Sequence, residues 1–345
     1  MRAFLVKEPG VYGVEELPAP EPGPGEVLVE VVAAGICGSD RELVEGRRPS
    51  QYVSYPVVPG HEWAGRVARL GPGVSGLRPG DPVVAEGLRT CGVCARCAEG
   101  RTNLCTGAAY AETGFTHPGA MAESVLVPAP LIHRLPADRP VEPAALIEPA
   151  ACVAGGLLEA GVPRAGSRLA VVGDGALGLL SVLFLRLTTP AELVLVGRRP
   201  ARSARALDLG ASAVANAHDP DALAALDGHF DAVVEASNSP EGAAAALALL
   251  RRGGTAILLG ISGAERTTVD PDTISLGQLR VQGIFAASRA AWQWTVQLYA
   301  QGLFDPAPLI THRFRLDEVT SALDTLAVPG ADVVKVLVHP DGSGA

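Results

Sequence analysis

The sequence has few aromatic residues, 4% of its 345 positions, and it has no block of basic residues. Its formal net charge is −9, which argues against nucleic acid as a partner. The longest apolar run, near residues 176–185, is too short to span a bilayer. The N-terminal segment MRAFLVKEPG lacks the apolar core of a signal peptide. We therefore expect no membrane partner and a cytoplasmic location.

Cysteine is also scarce, with six residues, but four of them lie in one stretch that reads CGVCARCAEGRTNLC. These are Cys91, Cys94, Cys97 and Cys105. Their spacing lets four thiolates close around one tetrahedral ion, and ligation by thiolates alone favours zinc. Disulfides or scattered buried thiols are the alternative, but neighbours so close together pair badly and no export signal leads to an oxidising compartment. The stretch therefore predicts a closed structural zinc site.

The pattern of the chain changes near residue 150. Before it, β-rich runs are separated by turns rich in proline and glycine, such as PAPEPGPG and GPGVSGLRPG, which predicts an antiparallel, barrel-like domain. After it, apolar strands such as RLAVVG alternate with alanine-rich helical stretches, which is typical of a parallel sheet buried on both faces. The late strand VVKVLVHP is expected to return to the first domain. We predict an α/β protein whose domains comprise residues 1–150 with 287–345 and residues 151–286.

A glycine-rich turn follows the first of the parallel strands. Gly173, Gly175 and Gly178 form a GxGxxG pattern, with Ala176 and Leu177 at the start of the next helix. Glycine allows the tight turn and the close approach of the backbone to a pyrophosphate at the helix N-terminus. The pattern alone is weak in a glycine-rich chain, but its place between a strand and a helix predicts a dinucleotide site.

The end of the next strand distinguishes NAD from NADP. An NAD enzyme would place an acidic residue there to bind the ribose hydroxyls, whereas this chain has Gly197, Arg198 and Arg199. Two guanidinium groups are available where a 2′-phosphate would bind. The alternative is that both arginines are solvated surface charges. The loop predicts NADP(H).

Three further residues can form a second metal site. Cys37, His61 and Glu148 would provide a thiolate, an imidazole and a carboxylate, which leaves a fourth zinc position open for water or substrate. Each residue alone has an ordinary explanation: a core thiol, a turn histidine and a carboxylate at a helix start.

The ordered motifs around these residues resemble the zinc-dependent medium-chain alcohol and polyol dehydrogenases over essentially the whole chain. They are PAPEPGPGEVLVEVVAAGICGSD, PVVPGHEWAGRVARLGPGV, the turn RPGD, the four-cysteine stretch, LIEP, GDGALG and LITHRF. Glu148 makes the chain similar to the sorbitol and threonine dehydrogenase branch, because ethanol-type members carry cysteine at that position.

The resemblance implies a GroES-like β-barrel catalytic domain, a Rossmann cofactor domain and two zinc ions in each chain. It implies that Cys37, His61 and Glu148 surround the catalytic zinc, and that Glu62 can exchange with Glu148 or water as a ligand. Asp40 would hold the zinc histidine. Ser39 would pass the substrate proton toward solvent. A small-molecule secondary alcohol or its ketone would react with NADP(H), in a homodimer or homotetramer.

Departures from the family pattern bear on the substrate. Glu42 replaces the histidine at the outer end of the proton relay, and Leu43 replaces a tyrosine near the zinc. Ala286 and Ala287 replace an Arg-Tyr pair that holds polyol hydroxyls in sorbitol-type enzymes. These changes predict a wider, more apolar pocket for a cyclic polyol, a sugar or an amino-polyol. Four arginines that could meet an anionic group, or simply be surface charges, are Arg41, Arg47, Arg48 and Arg289.

The sequence is also compatible with two other functions. One is a redox-neutral epimerase or lyase that uses zinc and a tightly held cofactor. The other is a zinc-stabilised NADPH-binding protein without activity, which the intact set of metal-site residues opposes.

Overall fold

A computed structural model of the chain describes residues 1–108, 110–261, 268–328 and 332–340. It divides into one unit formed by Met1–Glu148 and Ser288–Ala345 and a second formed by Pro149–Ala287. The divisions fall two residues before and one residue after the limits suggested by the sequence.

Strands dominate the first unit, and strands alternate with helices in the second. The strands are β1 (Arg2–Glu8), β2 (Val11–Glu16), β3 (Glu26–Ile36), β4 (Glu62–Leu70), β5 (Pro82–Ala85), β6 (Leu88–Arg89), β7 (Ala111–Glu112), β8 (Ser124–Pro128), β9 (Ile132–Arg134), β10 (Arg168–Val172), β11 (Glu192–Gly197), β12 (Ala213–Asn216), β13 (Phe230–Glu235), β14 (Leu250–Leu258), β15 (Arg280–Gly283), β16 (Ile310–Arg315) and β17 (Lys335–His339). The α-helices are α1 (Gly38–Val44), α2 (Ala95–Ala98), α3 (Ile147–Ala160), α4 (Ala176–Leu185), α5 (Pro200–Asp208), α6 (Pro220–Ala224), α7 (Pro240–Ala248), α8 (Pro271–Gly277), α9 (Arg289–Ala300) and α10 (Val319–Ala327). Short 3-10 helices comprise Ser50–Tyr52, Thr102–Leu104, Ala129–Leu131, Glu142–Leu146, Arg186–Thr188, Ala307–Leu309 and Leu316–Glu318.

The second unit contains a six-stranded parallel sheet in the order β12-β11-β10-β13-β14-β15. Its first strand, β10, is central, and its residues Leu169, Ala170 and Val171 are fully buried. The chain moves outward through β11 and β12 and then crosses to β13 on the other side of β10. This reversal of direction opens a crevice at the carboxyl ends of the strands, where ligands bind in such sheets. The predicted Rossmann arrangement is confirmed.

Helix starts in this unit follow from local chemistry. The side chains of Asp219, Ser239 and Asp270 accept backbone N–H groups at the first turns of α6, α7 and α8, and each is followed by proline. Helix α7 ends at Ala248, and β14 begins at Leu250, which pairs with Phe230 before the register shifts.

The first unit contains a sheet ordered β16-β17-β3-β4-β5-β9, with β8 also paired to β3. Its pairs are antiparallel except for β16 with β17. Alternate apolar residues of β3, such as Val27, Val29 and Val31, are buried in a core shared with β4 and β8. The late strand β17 pairs with β3 through Val336 and Ile36, as expected for the returning tail.

Within the described residues, the continuous helical segment Glu142–Ala160 is long and apolar enough to cross a membrane. Most of its apolar window, 72%, is buried inside the protein. Core helices commonly pass the same test of length and composition, so the segment is only weak support for a membrane span.

Candidate metal centres and cofactor site

The four-cysteine loop brings its sulfur atoms together. The Sγ atoms of Cys91, Cys94, Cys97 and Cys105 all lie within 4.8 Å of one another. Backbone N–H groups point at them: Cys94 donates to Cys91 Sγ at 3.3 Å, and Gly107 donates to Cys105 Sγ at 3.4 Å. N–H groups of Thr106 and Cys97 lower the pKa of Cys94 to about 5. The loop fits a thiolate-bound ion, and its cysteines form no disulfides.

Glycine is required at one point of this loop. A Cβ at Gly107 would lie 2.6 Å from both Cβ and Sγ of Cys91. No side chain can therefore enter the space beside the sulfurs without displacing one of them.

The second candidate centre lies where β3 ends and β4 begins. Cys37 is the N-cap of α1, and its Sγ accepts the backbone N–H of Ser39 at 3.4 Å. The carboxylate of Asp40 accepts the backbone N–H of Cys37 at 2.9 Å. Pairing of Gly35 with Glu62 across β3 and β4 then brings His61 beside Cys37. The strand register therefore assembles residues that are distant in sequence.

The possible ligands form two overlapping groups rather than one triad. Ligand atoms of Cys37, Asp40 and His61 lie within 4.8 Å of one another, as do those of His61, Glu62 and Glu148. His61 belongs to both groups. Its Nδ1 lies 3.5 Å from Asp40 Oδ1, and both atoms are buried without a hydrogen-bond partner among the described residues. Such unsatisfied buried atoms, with this donor set, fit a site built for a metal ion.

Burial and neighbouring charges shift the pKa values of Glu148 and His61 at this centre. Burial raises the pKa of Glu148 to about 7, with His61 opposing the rise and Glu62 adding to it. Burial lowers the pKa of His61, but Asp40 and Cys37 outweigh that effect and hold it well above its ordinary value. A cation beside Glu148 would therefore stabilise the ionised form of its carboxyl, which burial disfavours.

Lys335 also belongs to this centre, although the sequence motifs did not indicate it. Its ammonium group forms a buried ion pair with Glu62, and both residues are almost fully buried. Burial lowers the pKa of Lys335, but Glu62 and Cys37 outweigh it and raise the pKa above its ordinary value. A Cβ at Gly35 would lie 2.4 Å from Glu62 Oε2 and 2.9 Å from Lys335 Cε. A single lysine in the apolar strand β17 was the available signal, because a buried charge needs a partner.

An aromatic and cationic stack covers His61. Its ring packs against Phe115, with centroids 4.7 Å apart, and the Arg48 guanidinium carbon lies 3.6 Å from the Phe115 centroid. Arg48 in turn donates to Glu112 at 2.5 Å and to the Tyr52 carbonyl at 2.9 Å. These contacts connect two loops beside the metal group, and the sequence contains no local signal for them.

The structure also places the residues that departed from the family pattern. Leu43 is fully buried in the core of the first unit, and its carbonyl accepts the Tyr55 hydroxyl. The expectation that Leu43 widens an apolar pocket is therefore wrong. Glu42 lies near Arg47, at 3.9 Å, with 38% of its side chain exposed.

Each of the four arginines considered for anion binding has a carboxylate partner. Arg41 pairs with Glu45 at 2.7 Å, and Arg47 pairs with the same carboxylate. Arg48 pairs with Glu112 as described. The fourth pair joins Arg289 Nε to Glu86 at 3.0 Å. Arg47 also lies 3.9 Å from Glu42, so four carboxylates lie close to the four guanidinium groups.

The candidate cofactor site is a cavity of about 490 Å³ in the second unit. It is lined by Gly173 and Gly175 of the glycine-rich turn and by Gly197, Arg198 and Arg199. No atom lies within 4 Å of a Cβ placed on Gly175, so the turn is open toward the cavity. The cavity is also lined by residues that the sequence motifs did not indicate, including Asp174, His218, Asn238 and Glu241.

Gly178, the last glycine of the pattern, allows helix α4 to pack closely against the turn. A Cβ at Gly178 would lie 1.9 Å from the Gly173 carbonyl oxygen, so glycine permits the close packing of turn and helix. Ala176, Leu177 and Gly178 form the first turn of α4 and do not line the cavity. The helix has no side-chain cap, which leaves its N-terminal N–H groups free for the pyrophosphate predicted there.

Comparison with known proteins identifies the family. Residues 23–137 match the alcohol dehydrogenase GroES-like domain, and residues 176–301 match the zinc-binding dehydrogenase domain. The chain therefore belongs to the zinc-binding dehydrogenases, oxidoreductases that act on alcohols and use a nicotinamide cofactor. The predicted membership and fold class are confirmed.

Individual relatives agree with this placement over nearly the whole chain. The D-altritol 5-dehydrogenase of Agrobacterium fabrum is 35% identical over 324 residues, which cover 92% of this chain and 94% of that protein. A candidate zinc-binding dehydrogenase of Sinorhizobium meliloti 1021 bound to NADP is 32% identical, with a TM-score of 0.91 and coverage of 98% and 99%. The alcohol dehydrogenase rspB of Escherichia coli CFT073, complexed with NADH, is 27% identical, with the same TM-score and coverage.

Proposed function

We propose that the protein is a zinc-dependent dehydrogenase that transfers a hydride between NADP(H) and a secondary hydroxyl of an uncharged polyol, sugar or amino-polyol. The observation that carries the proposal is the proximity of candidate ligand atoms within 4.8 Å in two groups that share His61: Cys37 and Asp40 with His61, and Glu62 and Glu148 with His61. Two zinc ions per chain are proposed, the second in the four-cysteine loop. The cysteine content supports a cytoplasmic location.

The second candidate centre, called the open centre because one zinc position is left for water or substrate, contains residues with different proposed roles. Cys37 and His61, with Glu148 or Glu62, would hold the ion. A zinc ion bound there supplies Lewis acidity, which lowers the pKa of a bound alcohol. Asp40, facing Nδ1 of His61, would fix the imidazole orientation and tautomer. Ser39 Oγ would take the proton that the substrate hydroxyl releases. Lys335 keeps the neighbouring Glu62 carboxylate compensated.

The cofactor preference is supported by the loop after β11. Gly197, Arg198 and Arg199 carry no carboxylate at the position where ribose hydroxyls of NAD would need one. Arg198 is exposed at the cavity. A charge-assisted contact with a 2′-phosphate would favour NADP by about ten- to hundredfold.

The substrate class is supported by two features, the first in the first unit and the second in the second unit. The four arginines near α1 and α9 are each paired with a carboxylate, so an anionic substrate would find no uncompensated cation among them. Ala286 and Ala287 lack the polar groups that sorbitol-type enzymes use on a linear polyol. Cyclic polyols are therefore expected to react better than sorbitol.

A substrate panel tests the proposal. Zinc-loaded protein is mixed with NADP or NAD and with cyclic polyols, D-altritol, sorbitol, ethanol, threonine or a polyol phosphate. Formation of reduced nicotinamide is followed by its absorbance. We expect NADP-dependent oxidation of neutral polyols and poor reaction with ethanol and the phosphate ester.

Turnover of the phosphate ester with neutral polyols inert would reject the substrate class. Isomerised product with no net absorbance change and retained cofactor would instead identify a redox-neutral enzyme.

A further inference from the structure

An acidic residue reaches the cofactor-specificity loop from elsewhere in the sequence. Asp174, the second residue of the glycine-rich turn, is 2% exposed and lies against the loop after β11. Its Oδ2 accepts the backbone N–H groups of Arg198 and Arg199, each at 2.8 Å. Its Oδ1 accepts the Arg199 guanidinium, from Nε at 3.0 Å and Nη2 at 2.7 Å.

These contacts distinguish Asp174 from a ribose-binding acid. A carboxylate has about four acceptor positions, and four N–H groups already occupy those of Asp174. Arg202 adds further positive charge, with Nη1 3.9 Å from Oδ1 and 3.3 Å from the Asp174 carbonyl. Burial raises the pKa of Asp174, but the Arg199 and Arg198 contacts outweigh it and hold the pKa below its ordinary value. The carboxylate is therefore ionised and saturated.

Asp174 also explains why position 197 carries no side chain. A Cβ on Gly197 would lie 2.9 Å from the Asp174 Cβ and 3.1 Å from its Oδ2. An acidic residue at position 197 would meet both a steric conflict and a like charge. The space in which an NAD enzyme would present its acid is filled by Asp174.

The two arginines therefore have different surroundings. The Arg199 guanidinium is committed to Asp174 through two of its nitrogens, and 35% of its side chain is exposed. The Arg198 side chain is exposed at the cavity and has no hydrogen bond or ion pair within the described part of the chain. Of these two arginines, Arg198 is the one whose guanidinium has no partner among the described residues and can bind a ligand phosphate.

We propose that Asp174 is a specificity-determining residue that gives the two arginines different roles. It binds Arg199 as its own counter-charge and leaves Arg198 to bind the 2′-phosphate of NADP. The proposal rests on the NADP preference proposed above and assigns separate roles within that site. In this arrangement Arg199 favours NADP indirectly, because it neutralises a carboxylate that would otherwise repel the phosphate.

A double-mutant experiment separates direct from indirect action. Dissociation constants of NADP and NAD are measured by calorimetry on the full-length, zinc-loaded protein, so that no substrate is required. Arg198→Ala should weaken NADP binding by about ten- to hundredfold while leaving NAD unchanged. Arg199→Ala should also weaken NADP by about tenfold or more, because Asp174 then carries an uncompensated charge.

The decisive variant combines Arg199→Ala with Asp174→Asn. Asparagine keeps an oxygen for the loop N–H groups but removes the charge, so NADP affinity should return to that of Asp174→Asn alone. NADP binding that stays weak in the double variant would show that Arg199 contacts the phosphate itself and would overturn the proposal. Asp174→Asn should give no such rescue in the Arg198→Ala protein, and rescue there would also overturn it.

Controls distinguish this result from misfolding and from failure of the proposed cofactor. Arg252→Ala, an exposed arginine away from the cavity, should leave both dissociation constants unchanged. If Arg199→Ala unfolds, as judged by circular dichroism, Arg199→Gln provides the same test at closer side-chain length. A wild-type protein that binds NAD more tightly than NADP would reject the cofactor proposal before any variant is compared, and this inference with it.

Discussion

Zinc binding at the open centre should weaken as pH falls below about 7, and Glu148 should be a cause. Burial raises the pKa of this carboxyl from its ordinary 4.5 to about 7, with Glu62 adding to the rise and His61 opposing it. This shift corresponds to about 3 kcal/mol against the ionised form. Because a ligand carboxylate must be ionised, each pH unit below 7 should lower zinc affinity about tenfold through this group alone.

The assay compares pH slopes instead of single affinities, because His61 and the Cys37 thiol must also lose protons to bind zinc. Zinc is titrated against a calibrated chelator between pH 5 and 8, with the four-cysteine site kept filled. Below pH 7 the wild-type slope of log affinity should exceed that of Glu148→Gln by about one. Glu159→Gln, on the same helix, should follow the wild type. Equal slopes for wild type and Glu148→Gln would refute Glu148 as the ionising ligand and favour Glu62.

Three other outcomes are expected. The metal-free protein should lose thermal stability as pH rises from 4.5 to about 7, because the raised pKa of Glu148 favours folding only while its carboxyl is protonated. A melting temperature that rises over this range would contradict this expectation. Cys97→Ser should lower metal content from the proposed two zinc ions per chain to one and reduce the melting temperature. Cys152→Ser should change neither. If the protein forms the homodimer or homotetramer expected from the family resemblance, Val281→Asp on the exposed edge strand β15 should shift it toward monomer in light scattering. An unchanged mass would reject this edge as the interface.

Local motifs made much of the fold and the metal groups predictable. The four-cysteine spacing and the GxGxxG turn act within a few residues, so their chemistry is visible in the sequence itself. The strand patterns likewise indicated which parts belong to a parallel sheet. Whether each predicted residue performs its assigned role stays a prediction.

Features that depend on strand register could not be read in this way. The pairing of Lys335 with Glu62 requires β17 to lie beside β3, and no local pattern determines that register. Leu43 was expected at a pocket because the family has a tyrosine there, yet the turn of α1 places it in the core. The sequence places Asp174 far from Arg199, whereas the parallel pairing of β10 with β11 brings them into contact.

The pairing of Lys335 with Glu62 has a consequence for the order in which the chain is made. During synthesis the ribosome releases β3, β4 and the proposed ligands at positions 37, 61 and 62 long before residue 335. Until β17 inserts between β3 and β16, the Glu62 carboxylate has no cationic partner from this strand and its burial is costly. A nascent or truncated chain should therefore keep this end of the sheet open, so that completion of the proposed metal centre waits for β17, the last of the described strands.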